Sequence, residues 1–296
     1  MYFDIRTDLA CELPEKKGEK IPGMTRSEEE RKGGRLTRIV LHTEEAARVV
    51  GKPCGEYLTI DCGKLHLLPH RLQRETEQLL ACELRTMSER VTERRIDGDF
   101  CVFVVGLGNA SLTADAIGPA TVARLTATRH LMAHDVGLYR SLECSALCAL
   151  APGVLGQTGI ETQDIIKGAM HAACPDLVIT VDALAARGCE RLACTVQLSD
   201  SGIAPGSGVG NHRAELSRRT LGVPVIAIGV PTVVHSATLV YDALHRAGIE
   251  DIDERLREVL TEGEGFFVSP KESDLITEAF AGIVANAIGA VFTGGM

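Results

Sequence analysis

The strongest constraint on the fold is a change of texture at residue 100. From there, short and continuously apolar runs appear: "FCVFVVG" (100–106), "CSALCAL" (144–150), "DLVITVD" (176–182), "CTVQLSD" (194–200) and "VPVIAIG" (223–229). Between them lie helix-like stretches such as "ATVARLTATRHLMA", "TQDIIKGAMHAA", "AELSRRT" and "ATLVYDALHRAG". A sheet with one wet face alternates apolar and polar residues, whereas unbroken apolar strands need cover on both faces. The pattern therefore predicts an α/β fold of three layers, a mostly parallel central sheet with helices on both faces. Sites in such sheets form outside the carboxyl ends of the strands. The turns after "VFVVG", "LVITVD", "TVQLSD" and "VIAIG" are where chemistry is sought.

The chain before residue 100 is less regular. Its first forty or so residues, with "PEKKGEKIPG" and "RSEEERKGG", read as a surface-laid segment. "EYLTIDCG" reads as a first strand, and residues 70–95 as a long polar helix with Leu72, Leu79, Leu80, Leu84 and Met87 on one face. A last helix is expected over about residues 272–292. A length of 296 residues is consistent with one α/β domain carrying an N-terminal extension.

Composition removes several function classes. A net charge of −9 argues against non-specific nucleic-acid binding, and 4% aromatics with no Trp argues against base-stacking platforms. The ten cysteines contain no C-x-x-C spacing, and several sit in strand-like runs, as Cys101 and Cys194 do. They are expected to be mostly buried thiols of a reducing compartment, which points to a cytoplasmic protein. "MYFDIRTDLACE" lacks an apolar signal core, and no run of eighteen apolar residues occurs, so no membrane span is expected.

The first turn, "VVGLGNASLTADAIGP" (104–119), begins like a dinucleotide fingerprint and does not complete it. Gly106 and Gly108 fit G-x-G, but Ser111 stands at the third position. Those glycines are better explained by a tight turn and close strand–helix packing. The same turn delivers Asp115, with Thr113 as a candidate helix cap. "LVITVDALAARG" (177–188) delivers Asp182 at its strand end. Each acid alone is explained as a helix cap or a dipole partner. Together, in the parallel contexts "DAI" and "DAL", they form a candidate carboxylate pair. Such a pair shares a proton: one member activates water while the other polarises a carbonyl and protonates a leaving amine. The same oxygens are also suited to a divalent metal that activates water.

Other candidates are weaker. Gly206, Gly208 and Gly210 in "SDSGIAPGSGVGNHRAEL" are a tentative substrate loop or oxyanion nest, without the Lys-Ser/Thr of a P-loop. His130 and His134, spaced i, i+4, lack the Glu of a zinc-peptidase motif and read as a surface pair. No G-x-S-x-G elbow occurs.

With these residues in view, the chain resembles the germination proteases of spore-forming bacteria. The likeness is carried by "RTDLACE", "GKPCGEYLTID", "VVGLGN…LTADAIGP", "TRHL", "APGVLGQTGIET", "PDLVITVDALAAR", "SGIAPGSGVGN", "LGVPVIAIGVPTVV" and "FFVSPKE". It implies an endopeptidase that starts the degradation of small acid-soluble spore proteins, with Asp115 and Asp182 as the essential pair. It also implies a precursor that removes its own N-terminus, a homotetramer and a spore-core or forespore location. The family's substrates carry a sequence like T-E-(I/F)-A-S-E, cut after the first Glu. "TDLACE" (7–12) matches it by residue type, so Asp8–Leu9 is the expected self-cleavage bond, with residues 1–8 as propeptide and 9–296 as the peptidase domain. More distantly, "GLGN…T-x-D-A-I-G" is similar to the hydrogenase-maturation peptidases, which have Glu where Asp115 stands and a His and an Asp around nickel. That similarity leaves a divalent metal open here, although no cofactor is required by the residues. His212 is the nearest match for the His, and His235 in "PTVVHSA" stands where the germination proteases are expected to carry an acid.

Overall fold

A computed structural model of the chain describes residues 7–12, 21–204, 214–249, 253–262 and 266–294. The described residues form nine strands: β1 Met24–Arg31, β2 Gly34–Leu41, β3 Gly55–Asp61, β4 Cys101–Gly106, β5 Ala146–Leu150, β6 Leu177–Ala186, β7 Thr195–Ser199, β8 Val225–His235 and β9 Phe267–Val268. They form one sheet in the order β1-β2-β3-β7-β8-β6-β4-β5, with β9 added to the end of β8. The pairs β5–β4, β4–β6 and β6–β8 are parallel, as their apolar sequences predict. β7, β3, β2 and β1 extend this core on one side as antiparallel strands.

Both faces of the sheet are covered. On one face, Leu79, Leu80, Leu84 and Met87 of the helix His70–Thr92 pack with the helix Ser273–Phe292 over Val102, Val104, Ile179, Val181, Ile226 and Ile228. On the other, Ile166 of the helix Thr162–Ala173 packs on Phe103, Val105 and Val178. The alternation along each strand separates these two sets, since successive side chains point to opposite faces. Ser273–Phe292 is long and apolar enough to cross a membrane by length and composition. Its apolar side is instead spent in the core, where Ile276, Phe280, Val284, Ile288 and Phe292 are buried.

Two regions differ from the sequence reading. The charged stretch "RSEEERKGG" is not a surface-laid segment but part of a hairpin, β1 and β2, in continuous register from Met24 opposite Leu41 to Arg31 opposite Gly34. β1 is an exposed edge strand, so neither of its faces imposes an apolar period, and its charges guard the edge against pairing with another chain. The second difference concerns the thiols. Cys11, Cys62, Cys144 and Cys194 are buried, but Cys82, Cys174 and Cys189 are exposed, and all ten are unpaired.

β6 and β8 outrun their neighbours. β4 stops at Gly106, opposite Val181, while β6 continues to Ala186 beside β8. A register shift falls after Leu184: Leu184 lies opposite Pro231, but Ala185 lies opposite Val233, so Thr232 is an extra residue in β8. Beyond Val181, the side of β6 that faces β4 is therefore open.

Candidate active site

Asp182 is not at the end of its strand. It lies inside β6, 6% exposed and opposite Gly229 of β8, and Ala183–Ala186 continue the strand. No helix follows it, so the cap explanation is removed. One carboxylate oxygen, Oδ1, accepts from the amide of Ala183 at 2.9 Å.

Asp115 also differs from a simple dipole acid. Thr113–Asp115 form a 3-10 turn, and the helix Ile117–Val122 begins after it without a side-chain cap. The Oδ2 of Asp115 points back along the chain and accepts from Asn109 N at 2.7 Å. Its carboxylate rests on Gly108, whose φ is +110°; a Cβ there would lie 3.0 Å from Oδ1 and 2.0 Å from the Asp115 carbonyl oxygen. The turn is held from two sides. Thr232 of β8 donates to Ala114 O at 2.6 Å, and Thr277 of the C-terminal helix donates to Thr113 O at 3.0 Å. The extra residue in β8 thus has a use: it is the one that reaches this turn.

The rung Gly106–Val181 ties the two acids to neighbouring strands. Asp182 follows Val181 directly, and Asp115 sits on Gly108, two residues past Gly106. Leu107 N donates to Val181 O at 2.8 Å, which continues the ladder one step. Gly118 seals the contact: a Cβ there would lie 2.2 Å from Leu107 O and 2.5 Å from Val181 O. Gly118→Ala is expected to lower stability by about 1–3 kcal/mol, because backbone atoms cannot rotate away as side chains do. A urea unfolding curve checks it; an unchanged midpoint would show that the turn carrying Asp115 is not held against β6.

The N-terminal segment docks on β6 at Ala185, three residues past Asp182. Asp8 N donates to Ala185 O at 2.9 Å, and Ala185 N donates to Asp8 Oδ2 at 2.8 Å. Asp8 thereby takes the part of β6 that β4 leaves open. Leu9 is fully buried among Leu184, Ala186, Leu192 and Val234. The Gln197 side chain brackets the next bond: Nε2 donates to Asp8 O at 3.2 Å, and Oε1 accepts from Ala10 N at 2.8 Å. The Glu12 carboxylate accepts from the amides of Arg187 at 2.7 Å and Gly188 at 2.8 Å, and from the Thr7 hydroxyl. A cavity of about 270 Å³ opens beside Asp8, lined by Lys52, Tyr57, Gln197, Ser199 and Ser201. Burial pushes the Tyr57 hydroxyl up to about 12 and pushes the Lys52 ammonium below the usual lysine range. Lys52 Nζ reaches Thr7 O at 3.4 Å.

Other candidates fall elsewhere. His130 and His134 flank the short helix Leu131–His134 and are exposed, a surface pair as expected. His235 ends β8, six residues past Gly229, or about 20 Å along a strand, and stacks edge-on to Phe267. It is not part of the Asp182 neighbourhood. Gly206, Gly208, Gly210 and His212 lie outside the described residues. Among the described residues, no group of three or more His, Cys, Asp or Glu side chains converges to hold a metal. Three protein ligands are the usual minimum at a catalytic zinc-type centre, so the described donors do not complete one, and no step is derived through a metal.

Sequence reading singled out the two acids and the "TDLACE" segment. It missed Gln197, Lys52, Thr232 and the amides of Arg187 and Gly188. The only local sign of Gln197 is one polar residue inside the apolar run "CTVQLSD".

Comparison with known proteins is consistent across the chain. The germination protease family matches residues 4–247. A germination protease of Caldanaerobacter subterraneus is 38% identical over 314 residues, covering 97% of this chain and 94% of the relative. One from Clostridium perfringens is 38% identical with the same coverage, and one from Bacillus cytotoxicus is 42% identical over 250 residues. Among solved structures, the hydrogenase maturation protease HycI of Thermococcus kodakarensis is similar at 19% identity and TM-score 0.34, over 68% of this chain and 98% of that one.

Proposed function

This chain belongs to the germination protease family, and we propose that it is an endopeptidase of small acid-soluble spore proteins whose two-aspartate site, Asp115 and Asp182, also cuts its own chain at Asp8–Leu9. The supporting observation is the docked segment Thr7–Glu12. Three features of the pattern, the acid, the branched apolar residue and the final Glu, each meet a matching feature of the fold. The acid pairs with Ala185, Leu9 fills an apolar pocket, and Glu12 meets two amides. The cavity beside Asp8 leaves room for the extra methylene by which Glu exceeds Asp at the residue before the cut.

In this reading, the precursor is held inactive because its own segment occupies the groove. Cleavage releases residues 1–8 and detaches Asp8 from Ala185, so that Leu9–Glu12 lose that anchor and yield the groove to a substrate segment. Substrates are extended chains, because a disordered protein exposes the backbone groups that pair with an open strand edge. The homotetramer and the spore compartment are supported by the family resemblance alone.

Two measurements on the full chain test this function. N-terminal sequencing after prolonged incubation is expected to show a new end at Leu9. A peptide containing T-E-I-A-S-E is expected to be cut after its first Glu, with or without a chelator. Full peptide cleavage by a chain that still begins at Met1 or Tyr2 would sink the self-processing reading. Loss of cleavage in chelator, restored by a divalent metal, would move the chemistry to a metal-dependent maturation-type peptidase.

A further inference from the structure

The reading of Asp8–Leu9 as the bond to be cut gives a definite meaning to the Gln197 contact, on which it rests. We propose that the Gln197 carboxamide binds and polarises the carbonyl oxygen of the scissile peptide, both in self-cleavage and in cleavage of an extended substrate.

Gln197, Gly229 and Asp182 form one cross-strand row, since Gln197 and Asp182 both lie opposite Gly229. Neighbours in register share a face of the sheet. The two polar side chains thus stand about 10 Å apart at Cα, two strand spacings, on the same face. Gly229 between them has no side chain of its own, and a Cβ there would lie 2.3 Å from the Leu184 side chain. The Leu184 side chain fills the space above Gly229, and the Gln197 side chain meets the docked segment at Asp8 O and Ala10 N.

The orientation of the carboxamide is decided by its partners. Ala10 N is a donor and must face Oε1, so the amino group, Nε2, faces the Asp8 carbonyl. Gln197 is 7% exposed. A buried donor aimed at a carbonyl is worth more than one in water. Its 3.2 Å contact is long for a bond to a neutral carbonyl and shortens as negative charge grows on the oxygen. An interaction that strengthens during reaction lowers the barrier rather than merely improving binding. In the step itself, water oxygen adds to the carbonyl carbon of residue 8 while a water proton passes to a carboxylate. The C–N bond then breaks and a proton passes to the Leu9 nitrogen, leaving a carboxylic acid on residue 8 and a free amine on Leu9. Gln197 stabilises the oxygen between these two events and exchanges no proton.

Two isosteric variants of the full chain test the proposal. Gln197→Glu keeps an acceptor for Ala10 N and loses the donor to Asp8 O; Gln197→Met loses both. Both are expected to lower kcat on the T-E-I-A-S-E peptide, and the rate of self-cleavage, by about 10²–10³-fold, with KM raised by no more than about tenfold. An unchanged kcat in Gln197→Glu, with wild type active, would overturn the proposal and leave Gln197 as an anchor of the N-terminal segment. A binding measurement requires no change at Gln197. On the Asp182→Asn chain, a peptide with CH2 in place of the scissile C=O is expected to bind about tenfold more weakly than the parent, the loss of one hydrogen bond; equal binding would also overturn it. If wild type neither processes itself nor cuts the peptide, the peptidase reading of Asp8–Leu9 has failed, and this proposal falls with it.

Discussion

Asp182→Asn and Asp115→Asn, each made in the full chain, are expected to reduce cleavage of a T-E-I-A-S-E peptide by about 10²–10⁴-fold or more, the range for loss of a positioned acid or base. The fold is expected to survive both changes, for a specific reason. A backbone amide donates to each carboxylate, Ala183 N to Asp182 and Asn109 N to Asp115. An Asn side chain retains one oxygen that accepts the same bond. What it loses is the capacity to take or give the proton of water and of the leaving amine. Circular dichroism and a urea midpoint near wild type, beside lost cleavage, are the expected pair of results. Activity surviving in both variants would remove the two-aspartate mechanism, whatever happens to the N-terminus.

The second large effect concerns Glu12 and the substrate residue it is proposed to imitate. Its carboxylate meets two amides and a hydroxyl, and bonds to a charged acceptor contribute about 1.5–3 kcal/mol each. Glu12→Gln keeps the shape and removes the charge. Self-cleavage at Asp8–Leu9 is expected to slow by about 10–100-fold, the equivalent of one such bond. The same chain, before processing, is expected to cut an added peptide faster than the unprocessed wild type, because its own segment leaves the groove more readily. A matched change in the substrate, T-E-I-A-S-Q for T-E-I-A-S-E, is expected to lower kcat/KM by a similar factor. If self-cleavage and peptide cleavage both ignore the charge, the amides of Arg187 and Gly188 do not read the last acid of the motif, and the docked segment does not imitate a substrate there.

Leu9 is a smaller term in the same account. It is fully buried, and burying a Leu side chain contributes about 1.5–3 kcal/mol. The apolar pocket and the amide pair therefore contribute comparably to holding the segment. Loss of either is expected to loosen the scissile bond without touching the acids.

Much of the parallel core was legible from local pattern. "FCVFVVG", "DLVITVD" and "VPVIAIG" are buried on both faces, and that burial writes itself into each run as unbroken apolar sequence. The glycines of "GLGN" were legible as turn and close-packing positions, because only the absence of a Cβ lets Gly106 approach the Gly118 backbone. The edge hairpin β1–β2 was not, because a strand with both faces in water has no apolar period to show.

By itself, then, the amino-acid sequence determined the parallel sheet and marked Asp115 and Asp182 as acids that follow apolar strand residues. These depend on contacts within a few residues or on a residue's own chemistry. Only the tertiary structure decided that β6 runs past Asp182, that β4 stops short and leaves an edge, and that the N-terminal segment occupies it. The contacts responsible join residues far apart in the chain: Asp8 to Ala185, Ala10 to Gln197, Glu12 to Arg187. A hydrogen bond between backbone amides and a distant carboxylate depends on where the sheet ends, and no local spacing records that.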